Sequence, residues 1–161
     1  MFIIRMNNLL ATMMAVGGVA ALPVRGNWPI HRALIWLSSE CSRHGLTTPV
    51  TVTTKPDPDV CVAVDGLDDA LDALIADGFL VLVGAGYTAR WLIEPGLAVC
   101  ARRDLLRTDP STAKLVAQAG QRLASWASTA LKNADTAAAS WTSTVCGTMP
   151  TVRQPELVLL K

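Results

Sequence analysis

The stretch LDDALDALIADGFLVLVGAGYTARWLIEPG, from Leu67 to Gly96, limits this chain more than any other. Leu67, Leu71, Leu74 and Ile75 recur at helical spacing and give one apolar face, with Asp65 available as an N-cap. Asp77-Gly78 is a turn, Phe79 to Val83 is an apolar strand, and Gly84-Ala85-Gly86 supplies the permissive backbone of a tight return. Thr88 to Ile93 then runs back until Glu94-Pro95-Gly96 breaks the strand. This defines a shape, a helix followed by a hairpin, and carries no catalytic constellation.

The flanks read mostly as helix. Asn7 to Leu22 is apolar nearly all round, the mark of burial against several neighbours or a partner, and Gly17-Gly18 weakens its middle. Met6 is an alternative start that leaves Asn7 and Asn8 as caps. Beyond the loop PVRGNWP, Ile30, Leu34, Leu37 and Cys41 predict a second helix from Pro29 to Arg43. PVTVTT is β-branched and reads as a short strand, KPDPD as a turn-rich connection. DVCVAVDG reads either as a buried strand or as the leading helix of a helix-turn-helix. Leu97 to Arg107 suits a basic helix. Asp109 then caps a restart with Pro110 in the first turn, and Leu115, Ala119, Leu123, Trp126, Ala130 and Leu131 mark a long helix reaching about Asn133. From Asp135 to Val152 the Ala/Ser/Thr-rich sequence reads as a mobile connection, followed by ELVLLK.

The expected class is therefore mostly α with a small β-hairpin (α+β). Residues 1–28 form an apolar N-terminal helix, 29–107 the hairpin-bearing domain, 108–135 a long C-terminal helix and 136–161 a flexible tail. A chain of 161 residues that is 51% apolar can bury one proper core. With 17% charged residues and a net charge of +1, it has no basic field to draw it to nucleic acid or an anionic membrane. Cysteines 41, 61, 100 and 146 make no CxxC pair and suit reduced thiols in a cytoplasmic protein. The alternative is secretion. Arg5 ahead of the apolar run Leu9–Val24, and the small residues Val19-Ala20-Ala21, resemble a signal peptide over residues 1–21. That run falls short of the roughly 20 residues that cross a bilayer, so no membrane span is expected.

The pattern LxxLIADGFL, a glycine hairpin and ARWLIEPG resembles the end of the recognition helix and the wing of winged-helix proteins, including MarR-like and PadR-like regulators, over about Pro29 to Gly96. The resemblance implies that the helix from Leu67 to Ala76 is the groove-facing one, and that the helix after Pro110 carries a subunit contact. A fainter likeness, through MNNLLATMM, a second apolar helix and a winged-helix-like end, is to the small middle subunits of bacterial ABC-ATPase three-component systems, which bridge larger partners. Charge decides between the uses of such a fold. The helix offers Asp68, Asp69 and Asp72, followed by Asp77, and no Lys or Arg, while the wing offers only Arg90. Carboxylates facing a polyanion oppose binding that depends on neutralising phosphates. The first reading is thus a non-enzymatic winged-helix-like adaptor subunit of a bacterial assembly. Asp68, Asp69 and Asp72 would meet an electropositive partner, and Leu115, Leu123 and Trp126 would make a helix-mediated contact with another subunit or a second copy. The alternative is a dimeric DNA-binding regulator using Arg90 with Arg102, Arg103 and Arg107.

Other chemistry is weaker. Gly84, Gly86 and Ala89 fit a GxGxxA dinucleotide fingerprint with Asp104 about twenty residues on, but Pro95 cuts short the helix that must follow, so a nucleotide-binding fragment through GAGYTA is the lesser alternative. Cys41 and His44 make a C-x2-H half-site with no second half, and a structural zinc needs four ligands. No catalytic residue, cofactor or metal is expected. Trp126 and Trp141 are the aromatic anchors to test.

Overall fold

Gly18 decides where the first helix ends. Its left-handed backbone (φ 68°) bonds back to the carbonyl of Met14 and stops α1, Met6–Gly17, short of the Leu22 that apolarity alone suggested. The released residues Ala21–Pro23 form a strand, β1. The computed structural model describes residues 5–24, 28–54, 62–105 and 107–147. α2 follows over Trp28–Arg43, with Ile30, Ala33, Leu34, Leu37 and Cys41 on its buried face.

The segment between the second and third helices is a small ladder, not a helical turn. β2, Val52–Thr54, pairs antiparallel with β3, Val62–Val64. The strand reading of DVCVAVDG therefore holds over Val62–Val64 and the leading-helix reading does not; Val52 stands opposite Val64 across the ladder. α3, Leu67–Ala76, matches the expected helix and buries Leu67, Ala70 and Leu74. Its N-cap is Gly66 at φ 73° without a side-chain bond, a correction to the expected Asp65. The Asp65 carboxylate instead accepts a 2.6 Å hydrogen bond from the Thr53 hydroxyl, tying the β2–β3 ladder to the start of α3.

The expected hairpin is present. β4, Leu80–Val83, and β5, Arg90–Ile93, pair antiparallel with Val81 opposite Leu92 and Leu82 opposite Trp91. A turn of 3-10 helix, Gly86–Thr88, joins them. Gly84 is needed there: at φ +78° a Cβ would stand 2.9 Å from the Thr88 carbonyl oxygen. β1 adds on the far side of β5, giving the sheet order β1-β5-β4.

Glu94-Pro95-Gly96 breaks the strand by starting a helix. The Glu94 carboxylate accepts from the Leu97 N–H at 2.7 Å and opens α4, Pro95–Leu105. Asp109 opens α5, Pro110–Gly147, as expected, accepting from the Thr112 N–H at 2.8 Å and the Thr112 hydroxyl at 2.6 Å. α5 runs 38 residues, about 57 Å, so helix replaces the expected mobile connection as far as Gly147. The rest of the predicted tail, and ELVLLK, lie outside the described residues.

α5 is the spine of the core, packing against both α1 and α2. Two glycines set the first crossing. A Cβ on Gly17 would meet the Gly120 carbonyl oxygen at 2.1 Å, and one on Gly120 would meet the Met13 oxygen at 2.3 Å, so the two backbones touch. Leu10, Met13, Met14, Ala119 and Leu123 close around that contact, none of them measurably exposed. Two arginine-tryptophan stacks fasten the second crossing: Arg32 of α2 lies 4.6 Å from the Trp126 ring centre of α5, and Arg122 of α5 lies 4.5 Å from that of Trp36 of α2. Because the lower number on one helix pairs with the higher on the other, α2 and α5 run antiparallel. Among the described residues no helix is long and apolar enough to cross a membrane.

Candidate functional site

α3 presents a uniformly acidic surface. Its apolar side, Leu67, Ala70 and Leu74, faces the core, which turns Asp68, Asp69 and Asp72 to solvent, and Asp77 just beyond the helix is exposed as well. No lysine or arginine lies between Leu67 and Ala76. Asp68 and Asp69 sit in the first turn, where the helix dipole favours negative charge. Asp72, one turn on, gains little from that end.

This helix lies over one face of the three-stranded sheet and leaves a groove of about 250 Å³. Leu71, Ile75, Leu80, Trp91 and Leu22 give it apolar walls, and Asp68 and Asp72 supply carboxylates. Outside the groove the hairpin stays uncovered in part: Val81 is 45%, Leu82 52% and Leu92 38% exposed. Of these, Leu82 shares the face of Trp91 that α3 covers, and Val81 and Leu92 point to the opposite face, so it is the groove itself that sets apolar walls beside carboxylates.

The other predicted partner contacts lie elsewhere. Leu115 is 7% and Leu123 0% exposed, both inside this chain's own core, and Trp126 is half-buried under Arg32. The apolar stripe read as a subunit contact is covered by α1 and α2, which corrects that expectation. The residues missed were Arg32, Trp36 and Arg122. Their signal was in plain view, since HRALIW and QRLASW both space arginine and tryptophan by four.

The arginines of the nucleic-acid alternative do not gather on one surface. Arg90 is paired with Asp135 of α5 at 2.7 Å, and the Arg102 Nε donates to the Ala15 carbonyl at 2.7 Å, fastening α4 to α1. Arg103 and Arg107 are exposed, with Arg107 on the rim of a larger cavity of about 640 Å³ between α1, α3, α4 and α5. That rim also carries Asp77, Asp104 and Cys100 over a floor that includes Leu74, Phe79 and Val116.

The fingerprint residues Gly84, Gly86 and Ala89 lie in the hairpin return, with a strand after them. The helix N-terminus that a pyrophosphate requires is missing at that point, so the GAGYTA reading is set aside. Cys41 is buried within α2 while His44 is exposed beyond its end, so the two do not converge. Burial, and then the neighbouring Glu40 carboxylate, push the Cys41 thiol up from its ordinary value. Trp141 lies in the last part of α5, whose side chains are outside the description. No protein-family model, curated protein or solved structure matches this chain.

Proposed function

We propose that this chain is a non-enzymatic, winged-helix-like adaptor that binds a basic surface on another polypeptide through α3, working in the cytoplasm as a subunit of a bacterial assembly. The element order supports the fold part of this reading: helix, strand, helix, a further helix and then a hairpin, with the first strand beside the returning one. The β2–β3 ladder is an insertion between the two central helices. One observation carries the functional part. On the helix that a DNA-reading member of such a fold would lay against phosphates, three exposed carboxylates stand without a single cation. Each would oppose the counterion release that gives a duplex its affinity. The engagement of Arg90 and Arg102 inside the chain weighs the same way.

The test compares the native chain with the triple variant Asp68→Asn, Asp69→Asn, Asp72→Asn. Cross-linking in native cells should yield a partner complex that the variant loses, while its stability falls by no more than the roughly 1–2 kcal/mol that two first-turn carboxylates draw from the helix dipole. Duplex DNA should not shift the native chain at low salt. A salt-dependent gel shift abolished by Arg103→Ala or Arg107→Ala would reverse the ranking in favour of the regulator.

A further inference from the structure

The groove between α3 and the sheet is graded from apolar to acidic. Leu22, Pro23, Ile30 and Leu80 make its floor, and all four are buried. Leu22 stands opposite Trp91 across β1 and β5, so both project from the sheet face over which α3 lies. Leu71 and Trp91, half-buried, and Ile75, 37% exposed, form the walls, while Asp68 and Asp72 stand exposed at the mouth.

Three properties limit what can fill it. At about 250 Å³ the groove is smaller than the roughly 300–1,000 Å³ of sites for drug-sized ligands and cofactors, and suits one or two side chains of a larger partner. The group on the floor has to be apolar, because no polar side chain there can satisfy a charged or hydrogen-bonding head taken out of water. The group at the mouth has to be cationic. Asp68 and Asp72 lie one helical turn apart, and no lysine or arginine lines the groove. The ion pairs among the described residues join Arg43 to Glu40 and Arg90 to Asp135, and leave both carboxylates unpaired. Apolar walls keep water from one side of these carboxylates, which strengthens their attraction for a cation over that of a fully solvated acid.

We infer that this groove is the docking point for the partner polypeptide: one large apolar side chain of the partner occupies the floor, and a lysine or arginine next to it meets Asp68 and Asp72 at the mouth. The buried anchor supplies retention, and the charge pairing selects against acidic segments. This inference rests on the adaptor reading and names the chemistry by which its partner is held.

The probe is the capped synthetic peptide KLFK, titrated into the intact chain at physiological salt beside ELFE and KAAK, with the chemical shifts of the Leu71 and Ile75 methyls and the Trp91 indole N–H as readout. KLFK should shift all three and bind at least fivefold more tightly than either control. Asp72→Asn should weaken KLFK at least threefold, whereas Asp69→Asn, which removes a carboxylate of the same helix outside the groove, should change it less than twofold. Ile75→Ala, at a partly exposed wall position that tolerates truncation, should weaken KLFK at least threefold without weakening KAAK. Binding of KAAK as tight as that of KLFK, or equal losses in Asp72→Asn and Asp69→Asn, overturns the groove and leaves the acidic-helix reading standing. Equal binding of KLFK and ELFE overturns the charge selection, and no shift with KLFK at millimolar concentration overturns the inference altogether. KLFK bound in the groove with no cross-linked complex in native cells overturns the adaptor reading, and with it the partner inferred here.

Discussion

Gly120→Ala separates two effects of opposite sign. In an isolated helix the change favours folding by about 1 kcal/mol, because alanine is the better helix former. Here the new methyl would sit 2.3 Å from the Met13 oxygen and 2.9 Å from the Gly17 nitrogen, both backbone atoms that cannot swing aside. Restoring ordinary contact requires α1 and α5 to part by about 1 Å, a gap that forfeits a quarter to a half of each dispersion contact across the seam. Leu10, Met13, Met14 and Leu123 all lie at that seam, fully buried. The overpacking penalty belongs at or above the upper end of the usual range, about 3 kcal/mol or more, so the net loss is about 2–3 kcal/mol. For a chain of this size that is a fall in Tm of roughly 5–10 °C. Thermal and urea unfolding followed by circular dichroism measure it, with Ser128→Ala on the exposed side of α5 as the control expected within about 0.5 kcal/mol. Gly17→Ala forces the same separation, so the double variant should lose less than the sum of the singles. A Tm for Gly120→Ala equal to or above that of the native chain would refute the backbone contact.

Leu123→Ala should destabilise the isolated chain by about 2–5 kcal/mol, since the side chain is fully buried; a residue serving only a partner would leave urea unfolding unchanged. Arg90→Ala should lower stability by no more than about 1 kcal/mol, because its ion pair with Asp135 is partly exposed on both sides, and a double-variant cycle with Asp135→Ala measures it. Hydrogen bonds from the Thr112 hydroxyl, then from the Thr112 and Ser111 N–H groups, hold the Asp109 carboxyl below the usual carboxylate range. A depressed folded value contributes stability above the unfolded value, near 3.9, and loses it as pH falls through the folded one, so the Tm advantage over Asp109→Ala should shrink on acidification below about pH 4. Maleimide labelling followed by mass spectrometry should modify the exposed Cys100 rapidly at neutral pH and Cys41 only on unfolding; rapid loss of Cys41 thiol in the folded chain would contradict its burial.

What was legible in the sequence was local. The bounds of α3 follow from Leu67, Leu71, Leu74 and Ile75, and the hairpin from an apolar run ahead of three residues with two glycines. The start of α5 follows from Asp109 and Pro110, because a cap and its first turn lie within four residues. Features set by contacts distant in sequence were not. Gly17 read as a weak point in a helix; its reason is a carbonyl on α5, more than a hundred positions away. Asp65 was available to cap α3, yet Thr53 holds its carboxylate instead, and Gly66 opens the helix. Leu115 and Leu123 show why the site was harder to read than the fold. A stripe at helical spacing marks a face that must be buried without saying against what, and here α1 and α2 cover it.

Whole-chain charge is a poor guide to how this molecule meets others. At +1 overall it should be electrostatically indifferent. Five of the fourteen cations, however, are engaged within the fold: Arg32 and Arg122 lie over tryptophans, Arg43 pairs with Glu40, Arg90 with Asp135, and Arg102 binds a backbone carbonyl. Asp72 follows Asp69 by three residues and Asp68 by four, spacings that set neighbours on a helix surface roughly 5–6 Å apart at Cβ, inside the Debye length of about 8 Å at physiological salt, so their fields add before screening removes them. The surface of α3 is therefore a concentrated negative patch beside the apolar groove of Leu71, Ile75, Leu80 and Trp91. Such a patch repels a phosphate backbone and speeds encounter with a basic chain, whatever the net charge of the whole molecule.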